Sequence, residues 1–378
     1  MDVDKNLLLT LLEAAMSADY TRLRRAANQL SKQYLDAQDT EAAKAIQTII
    51  RKKGVPLRAS GYAEALPMDT STRLPLIEEG SAPASPILLD EGPGQIIAQF
   101  IEDAQHHKLL AEAGVDSPIR LLLFGKPGTG KSLLASHVAA RLDRPIYVAR
   151  LDSLISSRLG DTAKNIRGIF DFIPTRNAVL FLDEMDAVAK LRDDRQELGE
   201  LKRVVNAVLQ GLDSLSNDVV VIGATNHPHL LDPAIFRRFT YKVELTLPGP
   251  SVREAMWEEF LFGGDKSHRV DAKTLARASD GLSGADIENI SLSARRRAIL
   301  DKEELSLGPV FLALVGSRAG SPSLIDSRKM TKDDRRDLIV KLHTELHLPV
   351  ADAARVVGIS RQMAHRYLKN DTSGDSDG

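Results

Sequence analysis

The clearest chemistry in the chain lies in one unbroken stretch, Gly125-Lys126-Pro127-Gly128-Thr129-Gly130-Lys131-Ser132. Glycine, four residues, then Gly-Lys-Ser is the P-loop spacing for cradling phosphates. Gly125, Gly128 and Gly130 allow backbone conformations that a Cβ would block, so successive N–H groups can turn inward around an anion. Lys131 would reach the outer phosphates as a point charge, and the Ser132 hydroxyl would hold Mg²⁺. The binding stretch runs on through Leu133 into a helix whose first turn adds its own free N–H groups. A second group supplies what a phosphate cradle lacks. Val179-Leu180-Phe181-Leu182-Asp183-Glu184 is an apolar run that delivers two carboxylates to a strand end beside the P-loop. Asp183 is placed to hold the magnesium shell, and Glu184 to orient and polarise an attacking water.

These groups work only if a scaffold sets them side by side. From Ile119 to Leu247 the pattern is apolar strand, polar loop, helix, repeated. Strands are expected at Arg120–Phe124, Pro145–Ala149, Val179–Asp183, Val219–Ala224 and Tyr241–Leu245, several of them near-continuous apolar runs. Such runs suit parallel strands covered on both faces, with crossover helices between them. The fold class expected is α/β, a doubly wound parallel sheet with ligands at the carboxyl ends of its strands.

Composition narrows the remaining options. The chain has 378 residues, 43% apolar and 27% charged, enough for a sizeable core. A formal net charge of −2 gives no whole-chain preference for a polyanion, so any nucleic-acid footprint must be local. There is no cysteine, which excludes disulfides, thiolate metal sites and cysteine nucleophiles. No basic leader opens the sequence, and no run approaches the ~20 apolar residues of a membrane span, so a cytoplasmic protein is expected.

Seven segments are expected in order. Residues 1–56 are an N-terminal helical adaptor, ending in Arg51-Lys52-Lys53, cations that complement a helix C-terminus. Residues 57–86, rich in Pro, Gly, Ser and Thr, have linker composition. Residues 87–249 hold the α/β core, whose first strand is preceded by a helix from Gln95 to Ala113 that Gly114 caps. The adjacent His106 and His107 lack the i, i+4 spacing of two ligands on one helix face and are expected at the surface. Asp152 is expected to cap a helix. Residues 250–318 form an all-helical lid, one helix of which starts at Ser283 or Gly284 with Asp286 in its first turn. A short linker, 319–330, leads to a helical unit at 331–370 and a polar tail at 371–378.

Taken together, the P-loop, Asp183-Glu184, Gly223-Ala224-Thr225-Asn226, and Leu231-Asp232-Pro233-Ala234-Ile235-Phe236-Arg237-Arg238-Phe239 resemble the AAA+ ATPases of the AAA clade. Ser283-Gly284-Ala285-Asp286 is similar to the matching lid motif, and the resemblance covers residues 86–316. It implies ATP and Mg²⁺ as ligands, Asn226 as the polar sensor of the γ-phosphate, and a lid whose Gly284 and Ala285 approach the adenosine. It also implies that Arg237 and Arg238 act as arginine fingers on ATP held by a neighbouring subunit, in a homo-oligomeric ring, usually a hexamer. Two departures stand out. Lys126 replaces the first proline of the usual loop, and Arg158-Leu159 occupies the pore position where the family has an aromatic followed by an apolar residue. Arginine there suits an acidic segment or a phosphate backbone better than a plain polypeptide.

The C-terminal unit is expected as three helices, Leu338–Leu346, Val350–Val357 and Arg361–Leu368. Ala354, Gly358 and Ile359 fall where a helix-turn-helix needs a small residue, a tight turn and a core anchor. Arg361, Gln362, His365, Arg366 and Lys369 would face outward and could contact DNA. Residues 331–369 carry eight Lys/Arg against five Asp/Glu, a modest local excess. The first functional expectation is thus an ATP-driven ring that remodels or translocates a macromolecule, with a protein as client. The second is a DNA-recruited ATPase acting through residues 331–370 in mobile-element, defence or replication-type transactions. A third is an ATP-gated scaffold with little turnover, against which Glu184, Asn226 and Arg237 argue.

Overall fold

The computed structural model describes residues 66–69, 73–83, 85–156, 159–174, 176–187, 198–318 and 331–372, with scattered helical residues between 7 and 46. The chain divides into two compact units, Met1–Ala65 and Leu66–Gly378. In the first, Leu7, Ala26 and Ala43 are buried, and the Ser31 hydroxyl donates to the Ala43 carbonyl at 3.2 Å, tying two helical stretches together. That fits the helical reading of this segment.

The second unit is built on six strands: β1 (Glu78–Glu79), β2 (Arg120–Phe124), β3 (Ile146–Arg150), β4 (Val179–Asp183), β5 (Val220–Thr225) and β6 (Tyr241–Glu244). They lie in the order β1-β3-β4-β5-β2-β6, parallel except for β1. Helices α1 (Glu91–Gln105), α2 (His107–Glu112), α3 (Lys131–Arg141), α4 (Leu151–Ser156), α5 (Leu159–Phe172) and α6 (Leu198–Ser214) connect and cover them. Within β4, Leu180 and Leu182 pack against Ile166, Phe170 and Val208 of α5 and α6, while Val179 and Phe181 pack with Phe100, Leu134 and Val138 of α1 and α3. Alternate side chains are thus buried on opposite faces, which is why these strands read as unbroken apolar runs. Five of the six strands fall within one residue of their expected bounds.

Three expectations need correction. The linker composition at 57–86 conceals structure over its described part: Leu76 and Ile77 are buried in the core, and β1 pairs antiparallel with β3. Asp69, also buried, accepts a hydrogen bond from Asn165 of α5 at 3.2 Å. A two-residue edge strand among prolines is too short to show a periodicity. The single helix expected to Ala113 is broken at His106 into α1 and α2, although Gly114 has the expected left-handed conformation, φ 82°. Finally, β5 lies between β2 and β4, so the acidic strand is not the direct neighbour of the P-loop strand.

The short helix α7 (Pro233–Arg237) precedes β6, and the lid follows as α8 (Pro250–Phe260), α9 (Arg269–Ala278), α10 (Gly284–Asp301) and α11 (Leu307–Arg318). The C-terminal helices are α12 (Lys332–Thr344), α13 (Val350–Val357) and α14 (Arg361–Thr372). They do not form a core of their own. Leu338, Ile339, Leu342, Leu346, Ala353 and Ala364 are buried in the same apolar cluster as Trp257, Leu275 and Phe311 of the lid. The unit expected at 331–370 is therefore continuous with the lid. Among the described residues no helix is long and apolar enough to cross a membrane.

Candidate nucleotide site

The P-loop joins the end of β2 to α3, and its geometry follows from its glycines. Gly125, Gly128 and Gly130 have φ of 145°, 77° and 91°. At Gly125 a Cβ would stand 2.1 Å from the Leu245 carbonyl oxygen, so only glycine lets the loop pass the end of β6. Gly130 starts α3 with no side-chain cap, leaving the first N–H groups of the helix to face a ligand. Lys131 is buried, and its ammonium donates to the carbonyls of Gly125 and Lys126, each at 2.9 Å. Burial lowers its pKa, while Asp183 and Asp186 pull it back up. The loop thus holds a partly desolvated cation at its centre.

Across β5, the Ser132 hydroxyl donates to Asp183 Oδ2 at 3.1 Å, which joins the two motifs. Asp183 Oδ1 accepts the Glu184 N–H at 2.9 Å. Glu184 itself adopts φ 54°, a left-handed conformation uncommon for a residue with a long side chain. Strain of this kind costs about 1–3 kcal/mol and collects at functional sites. Here it turns the chain sharply at the end of β4, so that Glu184 leaves the line of the strand.

One residue unremarked in the sequence completes this corner. Asp186 is almost fully buried, and its Oδ1 accepts both the Thr225 hydroxyl at 3.0 Å and the Asn226 N–H at 3.2 Å. It therefore holds the end of β5 against the turn after β4. The Asn226 Oδ1 is buried and accepts no hydrogen bond among the described residues. The repetition of an acid two positions beyond Glu184 was the only available signal, and nothing local indicated its partners.

The lid closes over the same loop. Ser283 caps α10 in a reciprocal pair with Asp286, the Ser283 N–H donating to Asp286 Oδ2 at 2.9 Å and the Asp286 N–H to Ser283 Oγ at 3.3 Å. The Ala285 N–H then donates to the Gly128 carbonyl at 3.1 Å. Gly284 and Ala285, expected to approach the adenosine, thus touch the P-loop backbone directly. A further link runs from His137 on α3 to the Ser85 carbonyl at 2.8 Å, and from the Ser85 hydroxyl to Glu288 on α10 at 2.5 Å.

Of the remaining expected residues, Arg237 and Arg238 end α7, which Asp232 caps through the Ala234 N–H at 2.8 Å. Arg237 is exposed, whereas Arg238 grips Asp213 at the end of α6. Asp152 lies in the first turn of α4 rather than capping it from outside. Arg158 lies outside the described residues, and Leu159 opens α5.

These features fit a nucleoside triphosphate with magnesium. The start of α3 has no side-chain cap, the Lys131 ammonium sits against the loop carbonyls, and the Asn226 amide lies at the same corner with its buried oxygen accepting no hydrogen bond among the described residues. Among the described residues no cluster of three or more His, Asp or Glu gathers to hold a metal. Mg²⁺ takes one or two protein groups and fills its shell with phosphate and water, and Ser132 and Asp183 are the groups here that could serve it. The fold and site define a P-loop nucleotide-binding protein. Residues 121–247 match the family described as "ATPase family associated with various cellular activities (AAA)", so this stretch of the chain carries a domain of that type.

Similar proteins agree with that placement. A homologue of a 26S proteasome regulatory subunit from Methanothermobacter marburgensis is 35% identical over 237 residues, 60% of this chain and 62% of its own. An AAA family ATPase of Sinorhizobium fredii is 35% identical over 220 residues, 58% of this chain and 66% of its own. A proteasome-activating nucleotidase of Methanothermobacter thermautotrophicus is 33% identical over 204 residues, 52% of this chain and 50% of its own. The matches to these three curated relatives span half to just under two thirds of their lengths.

Proposed function

We propose that the chain hydrolyses ATP as a subunit of an oligomeric ring, hexameric by family resemblance, and uses lid movement to remodel a protein client. The observation that carries this reading is the convergence of Lys131, Ser132, Asp183, Glu184 and Asn226 on one corner, with Arg237 exposed. The P-loop N–H groups and Lys131 bind the phosphates, and Gly284 and Ala285 lie over the adenosine. Ser132 and Asp183 would hold Mg²⁺, which neutralises charge on the phosphate oxygens when bound. Glu184 orients a water in line with the γ-phosphate, and the Asn226 amide steadies both. The water oxygen bonds to phosphorus as the bond to the β-phosphate oxygen breaks, giving ADP and phosphate. Arg237 from the adjacent subunit meets the charge that spreads over the phosphoryl oxygens. Relatives named for proteasome regulation and activation support a protein client. By resemblance Arg158 and Leu159 line the pore, and the arginine suits an acidic stretch of client.

The test is ATP hydrolysis by the purified chain across a dilution series, with assembly followed by light scattering. Activity per subunit should fall as the ring dissociates. Glu184→Gln should keep ATP bound in an assembled ring while hydrolysis drops by about 10²-fold or more. Full activity per molecule from a lone monomer would overturn the ring.

A further inference from the structure

The C-terminal helices differ from an ordinary lid extension in where their charges lie. On the side facing the lid, Arg355 of α13 pairs with Asp271 of α9 at 3.0 Å and donates to the Thr274 hydroxyl at 3.0 Å. Asp352, also on α13, is reached by Arg277 of α9 at 3.7 Å. These pairs and the shared apolar core join α13 to the lid. On the far side, Arg361, Gln362, His365, Arg366 and Lys369 of α14 are all exposed. Their spacing puts them along one helical face, and no acidic residue occurs between Arg361 and Asn370.

The connection between the two helices is equally specific. Gly358 takes a left-handed conformation, φ 73°, and the Ile359 N–H donates to the Ala354 carbonyl at 3.0 Å, which closes α13 in a tight turn. Ser360 then opens α14, accepting the Met363 N–H at 3.3 Å. Small residues, Ala353, Ala354 and Ala364, are buried where α12, α13 and α14 cross. The result is a three-helix arrangement in which the middle helix is pinned to the lid and the last projects a polar, cationic face.

We propose that this face of α14 docks duplex DNA, carried on the lid as one piece with it. A single helix fits the major groove, where guanidinium and amide groups can pair with base edges and phosphates. An acidic protein would satisfy the charges but has no need of the turn that sets α14 out from α13. The Ala285 N–H bonds to the P-loop, so displacement of the lid by nucleotide moves the DNA-holding helix with it. This coupling rests on the ATPase reading above; the docking does not.

The experiment uses the full chain and a fluorescent mixed-sequence duplex of about 30 base pairs, roughly three helical turns. Anisotropy is measured without nucleotide at low salt and over a salt series. Wild type should bind with an affinity that falls steeply as salt rises. Arg361→Ala/Arg366→Ala should weaken binding by about tenfold or more, with an unchanged melting temperature because both side chains are exposed. Arg361→Gln/Arg366→Gln, which keeps side-chain length, should weaken it similarly. Absence of salt-dependent binding by wild type, or unchanged affinity in both double variants, would overturn the docking site. Preference for an acidic peptide over the duplex would overturn it as well. In a separate arm, duplex should change the ATP hydrolysis rate of wild type several-fold and leave that of the double variants unaffected. A wild type that binds the duplex but hydrolyses ATP at an unaltered rate would overturn the coupling alone.

Discussion

Arg238 and Asp213 are joined side by side, Nε to Oδ1 at 3.2 Å and Nη2 to Oδ2 at 3.1 Å, while the adjacent Arg237 stands exposed. The bonds to Asp213 raise the Arg238 pKa further above its ordinary value. Close by, the buried Arg120 donates to the Leu212 carbonyl at 2.6 Å, so the C-terminal end of α6 is flanked by two guanidinium groups. The two arginines of the motif thus have different surroundings within one subunit.

A division of labour is expected from this. Arg237→Ala should reduce hydrolysis by on the order of 10³-fold, the low end for a lost arginine finger. Mixing it with Glu184→Gln subunits should recover part of the activity at mixed interfaces. Asp213→Ala removes only an exposed ion pair and should change the rate by no more than a few-fold. Steady-state ATPase rates of the two variants, alone and mixed, check this. Equal losses in both would mean that the pair with Asp213 is itself needed for the finger.

Asp186→Ala should separate positioning from binding. It leaves the Thr225 hydroxyl and the Asn226 N–H without their acceptor, at about 1–3 kcal/mol. With the sensor corner displaced, kcat should fall by roughly tenfold to a hundredfold while KM for ATP changes little. Asp186→Asn keeps an oxygen in the same place and should restore most of the rate. Kinetics of the two variants, compared with their melting temperatures, distinguish displacement of Asn226 from general destabilisation.

Gly125→Ala should be among the worst single changes to the core. The new methyl would meet the Leu245 carbonyl oxygen at 2.1 Å, at a φ of 145° that alanine rarely adopts. A loss of at least about 2 kcal/mol is expected, with loss of ATP-induced stabilisation. Thermal unfolding with and without Mg-ATP measures both.

Alkaline stability should depend on Tyr241. Its hydroxyl bonds to Asp103 of α1, and burial together with that carboxylate pushes its pKa up to about 12 from the ordinary 10.0. A raised pKa favours the neutral phenol in the folded state. The stabilisation is thus fully present below pH 10.0 and is lost as pH rises through about 12. Tyr241→Phe should therefore flatten the decline of melting temperature across that window, as a pH series of unfolding curves would reveal.

Much of the nucleotide site was legible in the residue order because each part of it is local. Gly125, Gly128 and Gly130 with Lys131 and Ser132 specify a loop through their own backbone preferences and spacing. Val179 to Glu184 specifies a strand and its acidic end, and Ser283 with Asp286 a helix start. The C-terminal turn at Gly358 was equally readable. In each case the residues that decide the conformation are within a few positions of one another, so the pattern survives without the fold.

What tertiary structure alone decided are the pairings across the chain. Nothing near Arg238 marks Asp213 as its partner, and nothing near Asp186 points to Thr225 and Asn226, because those contacts depend on which elements the sheet brings together. The segment from Leu76 to Glu79 looks like linker until β3 supplies its hydrogen bonds. The apolar sides of α12 and α13 would look the same packed on each other or on α9 and α11. An amphipathic helix specifies that one face is buried but not what covers it. The shared core of lid and C-terminal helices therefore emerges only when the whole chain is folded.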